Sequence, residues 1–187
     1  MNSIVISIGG SVIVSDNIES SYFKKLNDIL LEHCKKEKIY IVVGGGKTAR
    51  KYINLGREIG LNEETLDEIG IEATRLNAKF LTKVLKNTNQ KIPKSTDDAK
   101  DLEGSIIVMG GTTPGHSTDM VGAKLAGITN ASKYIIATNV DGIYTRDPNK
   151  YSNAEKISEI EIEKLVEKYG TTWKSAGKNI VVDGPAL

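Results

Sequence analysis

The chain lacks several features that would settle its class at once. It has a single cysteine, Cys34, in 187 residues, so no disulfide can close within it and no cluster of thiolates can hold a metal. It also lacks charge of one sign: 25 basic against 24 acidic residues leave a formal net charge of +1. Nothing in that balance would draw the whole molecule to nucleic acid, although a local basic cluster around a phosphate pocket stays compatible with it. No apolar run approaches the roughly 20 residues needed to span a bilayer, and a strand pattern begins almost at the N-terminus. There is no internal repeat and no low-complexity linker. These absences predict a soluble protein of a reducing compartment, the cytoplasm, with no nucleic-acid partner and no membrane partner.

What is present is ordinary globular composition, 39% hydrophobic and 26% charged, in a chain long enough to bury roughly 70% of its unfolded surface as one domain, residues 1–187. Apolar runs at 4–8, 39–43, 105–109 and 133–137 read as buried strands. Helical spacing marks 22–34, with Ser20 or Ser21 as its cap, and continues at 47–59, 64–85 and 118–126. A last helix is expected from Ser158, where Ser158 and Glu161 have capping-box spacing and Ile157 and Ile162 could form the accompanying staple. Residues 86–104 are polar, contain Pro93 and show no strong period, so they read as an insertion or surface loop. Strands alternating with helices predict an α/β fold with a mainly parallel sheet covered on both faces. Asp183, Gly184 and Pro185 look like the start of a helix whose body is absent, and a chain missing its C-terminal elements is expected.

Three strands end in glycines: Gly9-Gly10, Gly44-Gly45-Gly46 and Gly110-Gly111. At the carboxyl edge of a parallel sheet glycine lets phosphate oxygens approach backbone amides, and a following helix adds the positive end of its dipole. Each cluster alone could be a tight turn; three at equivalent positions favour a phosphate-bearing ligand. A Walker A loop is excluded, because the position five before the Gly46-Lys47-Thr48 unit is Ile41, inside a strand. A dinucleotide fingerprint would use Gly44, Gly46 and Ala49, but residues 50–70 read as helix, loop and helix where a second strand ending in an acid is required.

Five stretches together resemble the amino acid kinase family, and within it the archaeal uridylate kinases. They are Ile8-Gly9-Gly10-Ser11; Val42 to Arg50 through the glycine triplet; Ile69-Gly70-Ile71 with Thr74, Arg75 and Asn77; Gly110-Gly111-Thr112-Thr113-Pro114-Gly115-His116-Ser117-Thr118-Asp119; and Thr138 to Pro148, including Asn139-Val140-Asp141-Gly142-Ile143-Tyr144. The resemblance implies a three-layer α/β/α sandwich with ATP and the acceptor, UMP, in line across the sheet's carboxyl edge, Mg²⁺ held largely by phosphates, and a homohexamer.

By that resemblance Gly10 and Ser11 lie under the ATP phosphates, while Gly46 and Gly45 serve the donor and acceptor phosphates. Arg50 could reach both, or be a solvated surface arginine. Asp67 would hold the acceptor ribose. Thr112, Thr113, Pro114, Gly115, His116, Ser117 and Thr118 would wrap the acceptor, His116 contacting the base or serving structure. A general base is not needed for an acceptor that is already anionic. Asp119 is open between helix capping and organising phosphate donors or Mg²⁺. Thr138, Asn139, Tyr144 and Asp147 would receive adenine and ribose. Many family members carry a lysine where this chain has Ser7, and Lys47 is the candidate substitute, with solvent exposure as its alternative. Other acceptors, such as isopentenyl phosphate or an acylated amino acid, a non-catalytic nucleotide or oxyanion binder, and an NAD-type dehydrogenase remain as rival readings.

Overall fold

The computed structural model describes residues 2–15, 18–138, 140–146, 148 and 150–169, with side chains described as far as residue 167. Four strands, β1 (Asn2–Ile8), β2 (Glu37–Val43), β3 (Ile106–Met109) and β4 (Lys133–Ala137), form a parallel sheet in the order β3-β2-β1-β4. β1 and β2 each begin two residues before their apolar runs, because Asn2 and Ser3 pair with Glu37 and Lys38 in the same register as the core residues.

Successive residues of a strand face opposite sides of a sheet; β2 and β3 are buried on both, which is why they are almost uninterrupted apolar runs, whereas β4 has no buried residue and its Ile135 is 43% exposed. On one side Ile39, Ile41 and Val43 of β2, with Ile106 and Val108 of β3, meet Leu30 of α2 (Ser20–His33) and Ala78 and Leu81 of α4 (Glu63–Val84). On the other, Tyr40, Val42, Ile107 and Met109 pack against Ala99 of α5 (Thr96–Asp101) and against Val121 and Leu125 of α6 (Thr118–Ile128). A third cluster, Ala49 and Ile53 with Leu66 and Ala73, fastens α3 (Gly46–Glu58) onto α4. The three-layer sandwich expected from the sequence is present. A one-turn helix, α1 (Gly10–Ile13), follows β1, and a two-stranded antiparallel sheet, β5 (Ile143–Tyr144) with β6 (Lys156–Ile157), lies apart from the main sheet in the hydrogen-bonding pattern. No helix among the described residues is long and apolar enough to cross a membrane.

Several local expectations are corrected. Glu19, not Ser20 or Ser21, stands at the N-cap of α2, and Ser21 Oγ turns to its carboxylate at 3.1 Å. The last described helix, α7 (Ile162–Tyr169), starts after Glu161, and Ile157 is in β6, so neither the capping box from Ser158 nor the staple forms as expected. Residues 86–104 are more structured than their polarity suggests. Ser95 caps α5 by accepting from Asp98 N at 3.0 Å, and the Asn89 side chain pairs with both backbone groups of Val108, at 2.6 and 2.9 Å. That side chain does along the outer edge of β3 what a neighbouring strand would do. The helix start expected at Asp183 lies outside the described residues.

Candidate active site

The register brings the strand ends level. Ile8 pairs with Val43 on one side and Ala137 on the other, and Val42 pairs with Met109. The turns that follow therefore share one rim, in the order 110–118, 44–46, 9–11 and 138. Neighbouring strands are about 4.8 Å apart, so adjacent turns can present amides to one bound phosphate. Strand order reverses at β1, and the crevice outside such a reversal is where open α/β sheets take their ligands.

At the centre of the rim two glycine turns cross without room for a side chain. A Cβ on Gly10 would sit 2.3 Å from both Gly44 O and Gly46 N, and one on Gly46, whose φ is +63°, would sit 2.5 Å from Gly10 C. Arg50, one turn into α3, reaches back across this crossing to donate from Nη2 to Ser11 Oγ at 2.9 Å. Lys47 is exposed in the first turn of the same helix.

The inner face of α4 fastens the glycine triplet and the 112–118 loop through Asp67, Thr74, Arg75 and Asn77, residues the resemblance had named without these partners. Asn77, 3% exposed, donates from Nδ2 to Gly44 O at 2.8 Å. Thr74 Oγ1 accepts from Gly111 N and donates to Ile71 O, both at 2.6 Å. Arg75 Nη2 donates to Thr112 O at 3.0 Å, and Asp67 Oδ2 accepts from Gly115 N at 2.7 Å. One helix thus sets the spacing between the glycine triplet and the 112–118 loop. The usable signal was a run of polar residues, Asp67, Thr74 and Asn77, on a helix face that should be apolar.

Within the loop Thr113 Oγ1 lies 3.1 Å from His116 Nδ1, Pro114 is exposed, and Thr118 Oγ1 stands 3.5 Å from where a Gly44 Cβ would be. Ser117 is the N-cap of α6, accepting from Met120 N at 3.0 Å. This corrects the expectation that Asp119 might cap: its carboxylate instead accepts a 2.7 Å bond from Ser7 Oγ, while Tyr134 Oη donates to its backbone carbonyl at 2.9 Å. Ser7 is 2% exposed at the end of β1, so this buried hydroxyl fixes a carboxylate.

Thr138 follows β4 directly, next to the first glycine turn, where Gly9 N bonds Ala137 O at 2.9 Å. Tyr144 belongs to the small β5–β6 sheet. Its hydroxyl donates to Asp141 Oδ1 at 2.6 Å, and Lys156 Nζ holds Oδ2 at 2.9 Å. The Tyr144 hydrogen bond, then the Lys156 ammonium, hold the Asp141 carboxyl below its ordinary range; the same bond raises the Tyr144 phenol. Asn139 and Asp147 lie outside the described residues.

Parallel strands whose glycine turns converge on one rim, tied by a single helix, define a protein that binds phosphorylated ligands at the sheet's carboxyl edge. The chain belongs to the amino acid kinase family, whose sequence model matches residues 2–184. It is 45% identical over 187 residues to the uridylate kinase of Thermoplasma volcanium, covering 99% of this chain and 82% of that one. It is 43% identical to the uridylate kinase of Methanocaldococcus jannaschii, over 96% and 82% of the two chains. The crystal structure of the Archaeoglobus fulgidus uridylate kinase superposes with a TM-score of 0.85 at 39% identity, covering 98% of this chain and 83% of that one. The Synechocystis aspartate kinase, at 17% identity and a TM-score of 0.66, shares the fold.

Proposed function

We propose that this chain transfers the γ-phosphoryl group of ATP to the phosphate of UMP, giving UDP and ADP for pyrimidine nucleotide and hence CTP biosynthesis in the cytoplasm. The observation that carries the reading is the order of turns along one rim, with an acceptor-type loop at 112–118, Thr138 at the opposite end, and the crossed glycines between them. A donor and an acceptor laid along that line would meet phosphate to phosphate over Gly10, Gly45 and Gly46.

Phosphoryl transfer asks a protein mainly to align its reactants and to neutralise spreading charge. The new bond joins an oxygen of the UMP phosphate to the γ-phosphorus as the bridge to the β-phosphate breaks. The acceptor oxygen is already anionic, so no base is required, and His116 is left to orient the 112–118 loop through Thr113. Arg50 offers a planar fork of donors beside Ser11, and Lys47 brings a positive charge to the first turn of α3. Asp67 already holds Gly115 N and keeps lone pairs for ribose hydroxyls. Thr113, Pro114, Ser117 and Thr118 would enclose the base. On the donor side Thr138 and the Tyr144 ring would receive the nucleoside.

The crossed glycines suit phosphates, since no side chain projects from Gly10, Gly45 or Gly46. Mg²⁺, held mostly by nucleotide phosphates, would add charge neutralisation. Asp119, kept in place by Ser7, is the carboxylate suited to orient that complex. We further infer a homo-oligomer, a hexamer by resemblance. In a coupled ADP-release assay with Mg-ATP, UMP should turn over well above CMP, AMP and isopentenyl phosphate. Preference for isopentenyl phosphate, or nucleotide binding without ADP release, would refute the reading.

A further inference from the structure

Helix α6 lies against β1 and is tied to it at both ends by serines. Ser7 Oγ donates to Asp119 Oδ1 at 2.7 Å in the first turn, and Ser3 Oγ to Thr129 O at 3.1 Å just past the last. The two serines are four residues apart in the strand, so they share one face of the sheet. A third tie comes from β4, the neighbour of β1, where Tyr134 pairs with Val5. Tyr134 packs against the cluster containing Val5, Val121 and Leu125, and its hydroxyl donates to Asp119 O at 2.9 Å. That hydroxyl reaches the carbonyl through a gap in α6. A Cβ on Gly122 would stand 2.6 Å from Tyr134 Oη and 2.8 and 2.9 Å from two ring carbons, whereas Gly127, in the same helix, has nothing within 4 Å. Glycine is a poor helix former, so its place at 122 is explained by the ring that fills the gap.

We propose that Tyr134 is a positioning residue for phosphoryl transfer, acting through Asp119, and that residue 122 is glycine in order to admit it. The proposal rests on the reading of Asp119 as the carboxylate that orients the reacting phosphates. Ser7 fixes one carboxylate oxygen, but a single bond at the end of a side chain leaves the backbone beneath it free to slide. Tyr134 holds that backbone. With the main chain and Oδ1 both placed, the direction of the second carboxylate oxygen is set as well, because the carboxyl group is planar and the side chain has few torsions. Misplacing a reacting group by about 1 Å can cost about two orders of magnitude in rate, so a hold of this kind bears directly on turnover. The nucleosides are held elsewhere in the same reading, by Asp67 and the 112–118 loop and by Thr138 and Tyr144. Loss of the tyrosine hydroxyl should therefore fall on kcat rather than on affinity.

The test combines steady-state kinetics with UMP and Mg-ATP, the dissociation constant of each nucleotide measured without turnover, and Tm. Tyr134→Phe keeps the ring and should lower kcat about tenfold, with both KM values and both dissociation constants unchanged. Ser3→Ala frees the far end of α6, about 16 Å away along the helix. It should lower Tm as Tyr134→Phe does while leaving kcat at the wild-type value. Gly122→Ala should lower kcat where Tyr134 is present, and cost nothing further where Tyr134→Val has already emptied the gap. Tyr134→Phe at wild-type kcat, an equal loss of kcat in Ser3→Ala, or a Gly122→Ala cost that is the same in both backgrounds would each overturn the proposal. Asp119→Asn separates it from the reading beneath. A slow Asp119→Asn beside a fast Tyr134→Phe removes the positioning role alone, whereas full turnover in Asp119→Asn removes the role of the carboxylate and the proposal with it.

Discussion

At Gly46 the cost of a single methyl group can be divided into two parts. Its φ of +63° strains any L side chain, and its Cβ would also meet Gly10 C at 2.5 Å. Gly60 offers the first cost without the second, with a φ of +88° and nothing within 4 Å. Gly60→Ala should cost about 1 kcal/mol, and Gly46→Ala about 3 kcal/mol, because backbone at the crossing must move as well. Urea unfolding of the two variants measures the difference; equal losses would mean that the turns can separate freely. The glycines were legible because they end apolar runs. Ser7 was legible only as a departure from the family's lysine. Its bond to Asp119 spans 112 positions, and no local pattern encodes a contact of that range.

Elements differ in how much of themselves they disclose. The inner strands β2 and β3 were readable since burial on both faces demands apolar runs, and α4 since its inner stripe has helical spacing. The short α5 was hidden in polar sequence, although Ser95 followed by Asp98 is a capping signal. The start of α7 was misplaced because Ser158 and Glu161 have capping spacing without a helix between them. The least legible property of α4 was its use of polar residues on a buried face, and Thr74 shows why they are there. Its hydroxyl is the partner of Gly111 N, so Thr74→Val removes that acceptor while keeping the shape and leaves a buried amide unpaired, at about 1–3 kcal/mol. Thr74→Ser should retain most of the stability, though it gives up a methyl group near Gly45. Thermal unfolding of both variants checks this. A serine variant as unstable as the valine one would show that packing, not the hydrogen bond, sets the position of the glycine turn.

Across the whole molecule, the proposed order of acceptor and donor loops along the rim would separate the two substrates in space, and ligand binding should reveal that separation. A ligand that binds only the folded state at a hundred times its dissociation constant stabilises it by about 2.7 kcal/mol, which in a chain of this size raises Tm by about 5–11 °C. UMP should act through the 112–118 loop and Asp67, and Mg-ATP through the turns at 9–11 and 138. Asp67→Asn keeps one acceptor for Gly115 N but weakens ribose binding, so it should reduce the UMP shift and leave the Mg-ATP shift intact. Arg50 stands between the two ends, beside Ser11 and one turn above the glycine triplet, so Arg50→Ala should reduce both shifts. Differential scanning fluorimetry of the wild type and the two variants with each ligand gives the whole pattern. If Asp67→Asn lowered both shifts equally, or Arg50→Ala lowered neither, the two ligands could not be lying end to end over the crossed glycines.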